Sequence, residues 1–258
     1  MGLPAAVAVV AVAAAGKIQI SYMNLKNKVI VITGASDGIG KQVTLAVARK
    51  GAQLALIARS NKKLLSVQKE INQINPKLIV RVYPVDLRQT TALTKVIKTI
   101  IQDFKVIDVL LNIAGIWQKL SSLEEVSEAT VDEIIETNLT SLIHCTRLCL
   151  PILKTRNEAI IINIASKSGV LAQSGQTVYT ASKYGVKGFT DVLKVDLKGT
   201  SVRVAGIYQS GTRTQTFAKA GDRFPIDKFT DPADLAQVIV FMLTLPKKIW
   251  LHEVQVEY

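Results

Sequence analysis

Short apolar runs rich in β-branched residues alternate along the chain with longer segments in which apolar positions recur every three or four residues. The runs predict strands at residues 28–33, 53–58, 78–85, 106–113, 159–165, 201–207 and 253–256. The longer segments predict helices at residues 38–50, 61–74, 90–104, 131–150, 175–198 and 232–245. This alternation is typical of repeated βα units, so we expect a doubly wound α/β fold with about seven parallel strands between two helical layers.

Residues 23–258 are expected to form a single domain, because no repeat, low-complexity tract or Pro/Gly-rich linker divides them. The preceding residues 1–22 form an apolar N-terminal extension with the run GLPAAVAVVAVAAAG. This run is too short to span a bilayer as a helix, and no Lys or Arg precedes it as in a signal peptide. We predict a poorly ordered extension and a cytoplasmic protein, with membrane association only if residues 3–16 act as a weak signal or anchor.

Composition and charge narrow the classes of function. The chain is 48% hydrophobic and 20% charged, which is typical of a globular protein. A net charge of +12 would suit a polyanionic partner, but the lysines are scattered and aromatic residues make up only 5%, which disfavours nucleic-acid binding. Cys145 and Cys149 lack the wider Cys/His pattern of a zinc site, so we predict reduced thiols and no bound metal.

A glycine-rich turn, TGASDGIG, follows the first predicted strand and opens the first helix at residues 33–40. Glycines in such a turn let a pyrophosphate approach the backbone, where the helix N-terminus offers free N–H groups. The spacing TGxxxGxG differs from GxGxxG, and a plain strand-to-helix turn is the structural alternative. The predicted cofactor contacts in this turn are Gly34, Ser36, Asp37, Gly38, Ile39 and Gly40.

The end of the second predicted strand bears on the choice between the two nicotinamide dinucleotides. A protein that binds NAD places a carboxylate there for the ribose hydroxyls, and the segment LALIARSNKKL contains none. Arg59 and Ser60 stand at this position, and a guanidinium suits a ribose 2′-phosphate through paired charge-assisted hydrogen bonds. We therefore predict NADP(H) as the preferred cofactor, whereas a solvated Arg59 would leave NAD(H) open.

Two Tyr/Lys pairs occur in the segment GQTVYTASKYGVKGF, Tyr179 with Lys183 and Tyr184 with Lys187. Neighbours three or four residues apart share a helix face for structural reasons too, so the spacing alone does not separate the pairs. Ser166 ends the fifth predicted strand thirteen residues before Tyr179. This interval favours the first pair.

The order Asn138, Ser166, Tyr179 and Lys183, behind the glycine-rich turn, resembles the catalytic tetrad of the short-chain dehydrogenase/reductase family. The resemblance implies a Rossmann fold, with Ser166 on the substrate oxygen, Lys183 on the nicotinamide ribose and Asn138 on a water in the proton path. Ser168 is the rival of Ser166, but the resemblance selects Ser166. A tyrosine that exchanges a proton near neutral pH needs its pKa of about 10 lowered, and we expect the Lys183 ammonium to lower it.

The resemblance implies further cofactor contacts after the third, fourth and sixth strands, in PVDLRQ, NIAG and YQSGTRT. The last segment departs from the family, because Gln209 and Ser210 stand where Pro-Gly is usual. We expect Gly211 to take over the tight turn there. The implied contacts are Asp86, Leu87, Asn112, Ala114, Gly115, Tyr179, Lys183, Thr212 and Thr214.

Residues 211–229 lie where the family places a mobile substrate lid. Arg213, Lys219 and Arg223 in this segment could meet an acidic substrate, although a solvated lid surface is the favoured interpretation. The segment carries no recognisable pocket signature, so the substrate itself is not predicted.

We therefore predict an NADPH-dependent reductase of a ketone or aldehyde, or the reverse alcohol dehydrogenase. The family resemblance implies a homodimer or homotetramer formed through the helices that carry Asn138 and Tyr179. A non-catalytic dinucleotide-sensing or interaction protein on the same fold is the alternative, favoured by the altered QSG turn. Nucleic-acid binding through the positive charge is a third and weaker hypothesis.

Overall fold

The computed structural model describes residues 23–258, so the predicted extension over residues 1–22 lies outside the described part. Seven strands form one sheet in the order β3-β2-β1-β4-β5-β6-β7, and every pairing is parallel. The sheet confirms the predicted doubly wound α/β fold, and each predicted strand is present. The strands are β1 Val29–Thr33, β2 Gln53–Ala58, β3 Val80–Pro84, β4 Val109–Asn112, β5 Ala159–Ile164, β6 Val202–Gln209 and β7 Glu253–Val256.

Helices cover both faces of the sheet. One face packs against α1, α2 and α8, and the other packs against α3, α5 and α6. The helices are α1 Gly38–Arg49, α2 Asn61–Ile74, α3 Thr90–Phe104, α4 Glu128–Ile135, α5 Ser141–Leu153, α6 Thr177–Asp196, α7 Thr216–Ala220 and α8 Pro232–Thr244.

The first strand shows why its sequence is continuously apolar. All five residues of β1 are buried, because side chains alternate between two covered faces. Ile30 and Ile32 pack into the core below α1 and α8, whereas Val31 packs into the core below α3 and α5. A strand with one solvated face would alternate apolar and polar residues instead.

The strand order reverses beside β1, which pairs with β2 on one side and β4 on the other. The connections after β1 and β4 leave the sheet in opposite directions, and a crevice opens between them at the carboxyl ends of the strands. The predicted site residues follow these strands, so the fold brings them to this crevice.

Two features of the structure differ from the sequence prediction. The predicted helix over 131–150 begins earlier and is interrupted by a π-helical turn at Glu136–Thr140, which separates α4 from α5. The short helix α7, inside the predicted lid, had no periodic apolar signal of its own. Within residues 23–258, no helix is both long enough and apolar enough to cross a membrane.

Candidate active site

A cavity of about 1360 Å³ opens at the carboxyl end of the sheet. Pockets for one drug-sized molecule typically measure about 300–1000 Å³, so this cavity has room for a large cofactor together with a smaller molecule. Every predicted site residue lines the cavity except Asn112 and Asn138.

The glycine-rich turn forms one end of the cavity. Gly34 has a φ of +69°, and a Cβ at this position would lie 2.9 Å from the backbone nitrogen of Ala114. Only glycine fits there, so the turns after β1 and β4 can pack backbone to backbone. Asp37 caps α1 by accepting a hydrogen bond from the Gly38 N–H at 2.9 Å. The helix N-terminus that follows carries the partial positive charge that favours a phosphate group.

Two lysines converge on Asp37 from distant parts of the chain. Lys63 of α2 and Lys219 of α7 donate hydrogen bonds to its carboxylate at 2.7 and 2.8 Å. Partial burial opposes ionisation of this carboxyl, but the hydrogen bonds from Lys219 and Lys63 outweigh it and hold the pKa of Asp37 well below its usual range. The Lys219 contact ties the lid segment to the glycine-rich turn across the mouth of the cavity.

Arg59 lies exposed on the cavity wall just beyond β2. The neighbouring carboxylates are engaged elsewhere, since Asp86 pairs with Arg88 at 2.7 Å and Asp37 pairs with Lys63. Within the described residues, Arg59 itself pairs with no carboxylate. Ser60 caps α2 by accepting a hydrogen bond from the Lys63 N–H at 3.3 Å. The Arg59 guanidinium is therefore available to an anionic ligand.

Asn112 does not line the cavity, and its predicted cofactor contact stays a prediction. Its side chain is 2% exposed and donates hydrogen bonds to the Asn163 Oδ1 at 2.8 Å and the Thr146 Oγ1 at 2.9 Å. These bonds tie β4 to β5 and α5. The two residues that follow in this turn, Ala114 and Gly115, do line the cavity. Asn112 therefore holds the turn in place from behind.

Tyr179 and Ser166 come together on the cavity wall. Burial raises the pKa of Tyr179 to about 12, although a hydrogen bond with the Ser166 hydroxyl opposes that shift. The Lys183 ammonium lies 5.6 Å from the centre of the Tyr179 ring. Desolvation of the phenolate therefore outweighs the Ser166 hydrogen bond, and the expected lowering of this pKa by Lys183 stays a prediction.

Lys183 is an incompletely paired buried ammonium. The side chain is 4% exposed, and within residues 23–258 its Nζ makes one long hydrogen bond, 3.5 Å to the Ile164 carbonyl oxygen. Burial lowers the pKa of Lys183 to about 8, since the charged form has lost most of its hydration. Its ammonium lines the cavity with donors left for a ligand.

Asn138 lies in the π-helical turn, fully buried behind the cavity wall. Its Oδ1 accepts a hydrogen bond from the Ile116 N–H at 2.8 Å, and its Nδ2 donates to the Ile116 carbonyl oxygen at 3.0 Å and to the Ser182 Oγ at 3.2 Å. Such turns inside helices are frequently found at functional sites. In this structure Asn138 fixes the loop after β4 against α6, and its contact with a water stays a prediction.

The rival candidates have other roles. The Ser168 Oγ donates a hydrogen bond to the Gln176 Oε1 at 2.8 Å, and the Ser168 N–H donates to the Ser166 Oγ at 3.2 Å. Ser168 therefore supports Ser166. Tyr184 is 43% exposed and Lys187 pairs with Asp191, so the second Tyr/Lys pair lies on the surface of α6 and does not line the cavity.

The end of β6 and the turn after it contain buried polar atoms without partners among the described residues. The Gln209 Oε1, the Ser210 Oγ and the Thr212 Oγ1 are buried, and none has a hydrogen-bond partner in the described part of the chain. All three residues line the cavity. Gly211 does not adopt a positive φ, and a Cβ there would lie 2.8 Å from the Phe229 ring.

Sequence reasoning missed two residues beside the tyrosine. The Trp117 ring centre lies 4.6 Å from that of Tyr179, and the Gln118 Oε1 accepts a hydrogen bond from the Tyr179 N–H at 2.9 Å. Both follow the NIAG turn directly, so their position after a strand was the available signal. Lys219 was considered only for substrate charge, because no local pattern links it to Asp37.

Comparison with known proteins agrees with this geometry. A family model described as short chain dehydrogenase matches residues 28–223. The 3-oxoacyl-[acyl-carrier-protein] reductase FabG of Thermotoga maritima is 32% identical over 228 residues, covering 85% of this chain and 92% of that protein.

Two solved structures show the same fold over most of their length. An alcohol dehydrogenase from the archaeon Thermococcus sibiricus, complexed with 5-hydroxy-NADP, has a TM-score of 0.82 and 26% identity, covering 90% of this chain and 96% of that one. A metagenomic short-chain oxidoreductase in complex with NADP has a TM-score of 0.79 and 27% identity, covering 91% and 98%. This chain belongs to the short-chain dehydrogenase/reductase family and is an NAD(P)-dependent oxidoreductase acting on CH–OH or C=O groups.

Proposed function

We propose that this enzyme reduces a ketone or aldehyde with NADPH, and that Tyr179 donates the proton. The observation that carries the proposal is the buried Tyr179 phenol beside the Ser166 hydroxyl on the wall of the cavity. With a pKa of about 12, Tyr179 holds its proton throughout the neutral range, as a proton donor must.

The chain's own residues hold the carbonyl oxygen and transfer the proton. Bound NADPH provides the hydride that adds to the carbonyl carbon. The Ser166 hydroxyl donates a hydrogen bond to the carbonyl oxygen, and the Tyr179 hydroxyl transfers its proton to that oxygen as negative charge develops there. The phenolate left on Tyr179 is stabilised by the Lys183 ammonium near its ring. Alcohol oxidation follows the same steps in reverse, with the phenolate as base.

The residues at both ends of the cavity fit NADPH. Arg59 offers an unpaired guanidinium where the 2′-phosphate of the adenosine ribose would lie. At the other end, Gln209, Ser210 and Thr212 present buried oxygens that lack partners among residues 23–258. A nicotinamide carboxamide has both a donor and an acceptor for such atoms, and buried polar groups are rarely left unpaired. Support for NADP also comes from the two NADP-type complexes among the similar structures.

The proposal is tested by following NADPH absorbance with a panel of ketones and aldehydes. We expect NADPH to be consumed with at least one carbonyl, in amounts equal to the alcohol formed. Tight NADPH binding without turnover of any carbonyl would instead support the dinucleotide-sensing alternative, for which the altered turn at Gln209 and Ser210 is the motivating feature.

Cofactor preference depends on Arg59. We expect Arg59→Asp to lower the ratio of NADPH to NADH affinity by at least about tenfold, because hydrogen bonds to charged groups contribute about 1.5–3 kcal/mol. Fluorescence titration with both cofactors measures this ratio. Lys62→Asp is the matched control, since Lys62 is an exposed neighbour that does not line the cavity. An unchanged ratio in Arg59→Asp would show that another group recognises the phosphate.

A substitution at Thr212 should change cofactor affinity without changing the stability of the fold. Thr212→Val removes a hydroxyl that has no partner among the described residues, so we expect no loss of Tm without cofactor and a loss of NADPH affinity of about 2- to 12-fold. Thr180→Val is the control, because the Thr180 hydroxyl is also buried and unpaired but lies outside the cavity. Equal NADPH affinity in the wild type and Thr212→Val would remove this residue from the cofactor site.

Assembly and location are further parts of the proposal. We propose a homodimer or homotetramer that uses α5 and α6, supported by the exposure of Val192 and Val195 on α6, at 60% and 72%. Light scattering of the full chain tests this assembly, and a monomer at assay concentration would contradict it.

A cytoplasmic location is supported by Cys145 and Cys149. These cysteines form no disulfide and are fully buried, as expected of thiols in a reducing compartment.

A further inference from the structure

Aromatic side chains are concentrated at the tyrosine end of the cavity. The chain has 14 aromatic residues, from 2 Trp, 6 Tyr and 6 Phe. Six of them form one continuous cluster that lines the cavity, here called the aromatic wall: Trp117, Tyr179, Phe217, Phe224, Phe229 and Tyr258.

The aromatic wall begins at the reacting phenol. The Trp117 ring meets Tyr179 edge to face at 4.6 Å and 61°, and it meets Phe217 at 5.0 Å and 71°. Phe224 continues the wall, 5.0 Å from Phe217 and 6.2 Å from Trp117. Trp117, Phe217 and Phe224 are only half-buried, so part of each ring remains open to the cavity. A carbonyl held at Tyr179 would therefore place its substituent against these rings.

The wall is held in place by contacts behind it. The Asp222 carboxylate accepts hydrogen bonds from the Trp117 Nε1–H at 2.7 Å and from the Leu120 N–H at 3.1 Å. The indole N–H is thus occupied, and only apolar ring surface of Trp117 is left for a substrate. The missing Cβ of Gly211 lets the Phe229 ring pack directly on the backbone. These contacts fix ring positions before a substrate arrives, which lowers the ordering cost of binding.

Two cations of the lid are paired with carboxylates, and the other two, Arg223 and Lys228, do not line the cavity. Arg213 pairs with Asp231, and Lys219 pairs with Asp37. Arg223 is exposed and does not line the cavity. Lys119 does line it but lies exposed at the rim. Lys183 is a buried cation of this cavity, but it lies beside Tyr179, where the carbonyl group would bind. An acidic substituent farther along the wall, against Phe217 and Phe224, would lose water without an unpaired lid cation in the cavity beside it, so the wall disfavours it.

We propose, on the basis of the carbonyl reduction proposed above, that the aromatic wall selects neutral carbonyl compounds with an aromatic ring next to the carbonyl group. Such a ring packs edge to face against Trp117, Phe217 and Phe224, extending the geometry that these rings already adopt. A carboxylate on the far side of the substrate ring weakens binding.

Two ketones of similar size test the proposal. The ratio of KM for cyclohexyl methyl ketone to KM for phenyl methyl ketone is measured in the wild type, in Phe224→Leu and in Phe241→Leu. Phe224→Leu keeps an apolar side chain but removes the ring, so we expect this ratio to fall by about 2- to 13-fold. Phe241 is an exposed residue of α8 outside the cavity, and Phe241→Leu should leave the ratio unchanged.

A further comparison uses phenyl methyl ketone that carries a para carboxylate. We expect its KM to exceed that of the neutral ketone in the wild type. An unchanged KM ratio in Phe224→Leu, or a lower KM for the carboxylate, would overturn the proposal while leaving carbonyl reduction intact. Absence of NADPH consumption with every carbonyl tested would overturn the proposed function, and this inference with it.

Discussion

The Tyr179→Phe variant is expected to lose about 10²- to 10⁴-fold in kcat/KM for carbonyl reduction, the usual contribution of a positioned proton donor. Phenylalanine keeps the ring that packs against Trp117 and removes only the hydroxyl. Burial raises the pKa of Tyr179 to about 12, so the substitution removes a proton that is present over the whole neutral range. Initial rates of NADPH consumption measure the loss, and NADPH affinity should stay close to that of the wild type.

The matched control is Tyr184→Phe. Tyr184 lies on the same helix, is 43% exposed and does not line the cavity, so its hydroxyl should not affect the rate. Comparable activity in the wild type and Tyr179→Phe would assign the proton to another group, such as Ser166 or a water molecule. A loss of NADPH affinity equal to the loss of rate would instead point to a binding role for the hydroxyl.

The Lys183→Met variant is expected to be nearly inactive and yet more stable than the wild type. Methionine fills a similar volume without a buried ammonium, whose one hydrogen bond within residues 23–258 is 3.5 Å long. Losing the cation that stabilises the Tyr179 phenolate should lower kcat/KM by at least about 10²-fold. Calorimetry should show a higher Tm. In a domain of this size, Tm rises by about 2–4 °C for each kcal/mol gained in the free energy of unfolding.

The stabilising effect of Lys183→Met should depend on pH with a definite sign. Burial lowers the pKa of Lys183 from 10.5 to about 8, so the folded wild type loses its bound proton at lower pH than the unfolded chain. The cost of burying the ammonium is fully present below pH 8 and disappears as the pH rises towards 10.5. The Tm difference between variant and wild type should therefore be larger at neutral pH than in mild alkali. Lys187→Met, which removes a surface ammonium paired with Asp191, should not show this dependence. A Tm below that of the wild type at neutral pH would contradict the description of Lys183 as a costly buried charge.

The sheet and most of the cavity could be predicted from sequence because their signals are local. Each strand is a continuous apolar run, as in Val29–Thr33, and a parallel sheet covered on both faces requires such runs. The turn at residues 33–40 follows a strand and begins a helix, which is enough to place it at the carboxyl end of the sheet. Tyr179 and Lys183 occupy one face of α6, so their proximity followed from helical periodicity.

The remaining features depend on contacts between distant segments. Asn112 carries the motif position of a cofactor contact, but hydrogen bonds to Thr146 and Asn163 turn its side chain into the core. The pKa of Tyr179 depends on how completely the folded chain excludes water from its hydroxyl, and no local sequence pattern predicts that burial. The π-helical turn at Asn138 arises where its side chain bonds the Ile116 backbone, and Lys219 reaches Asp37 only through the fold of the lid.

The central claim, that this enzyme passes a hydride from NADPH to a carbonyl carbon, is tested most directly with NADPH that carries deuterium at both hydrogen positions of the nicotinamide C4. The wild-type enzyme is incubated with this cofactor and phenyl methyl ketone, and the alcohol product is analysed by mass spectrometry. We predict an alcohol with one deuterium on the carbinol carbon, formed far more slowly by Tyr179→Phe. Consumption of the labelled cofactor with no deuterium in the alcohol would contradict the claim.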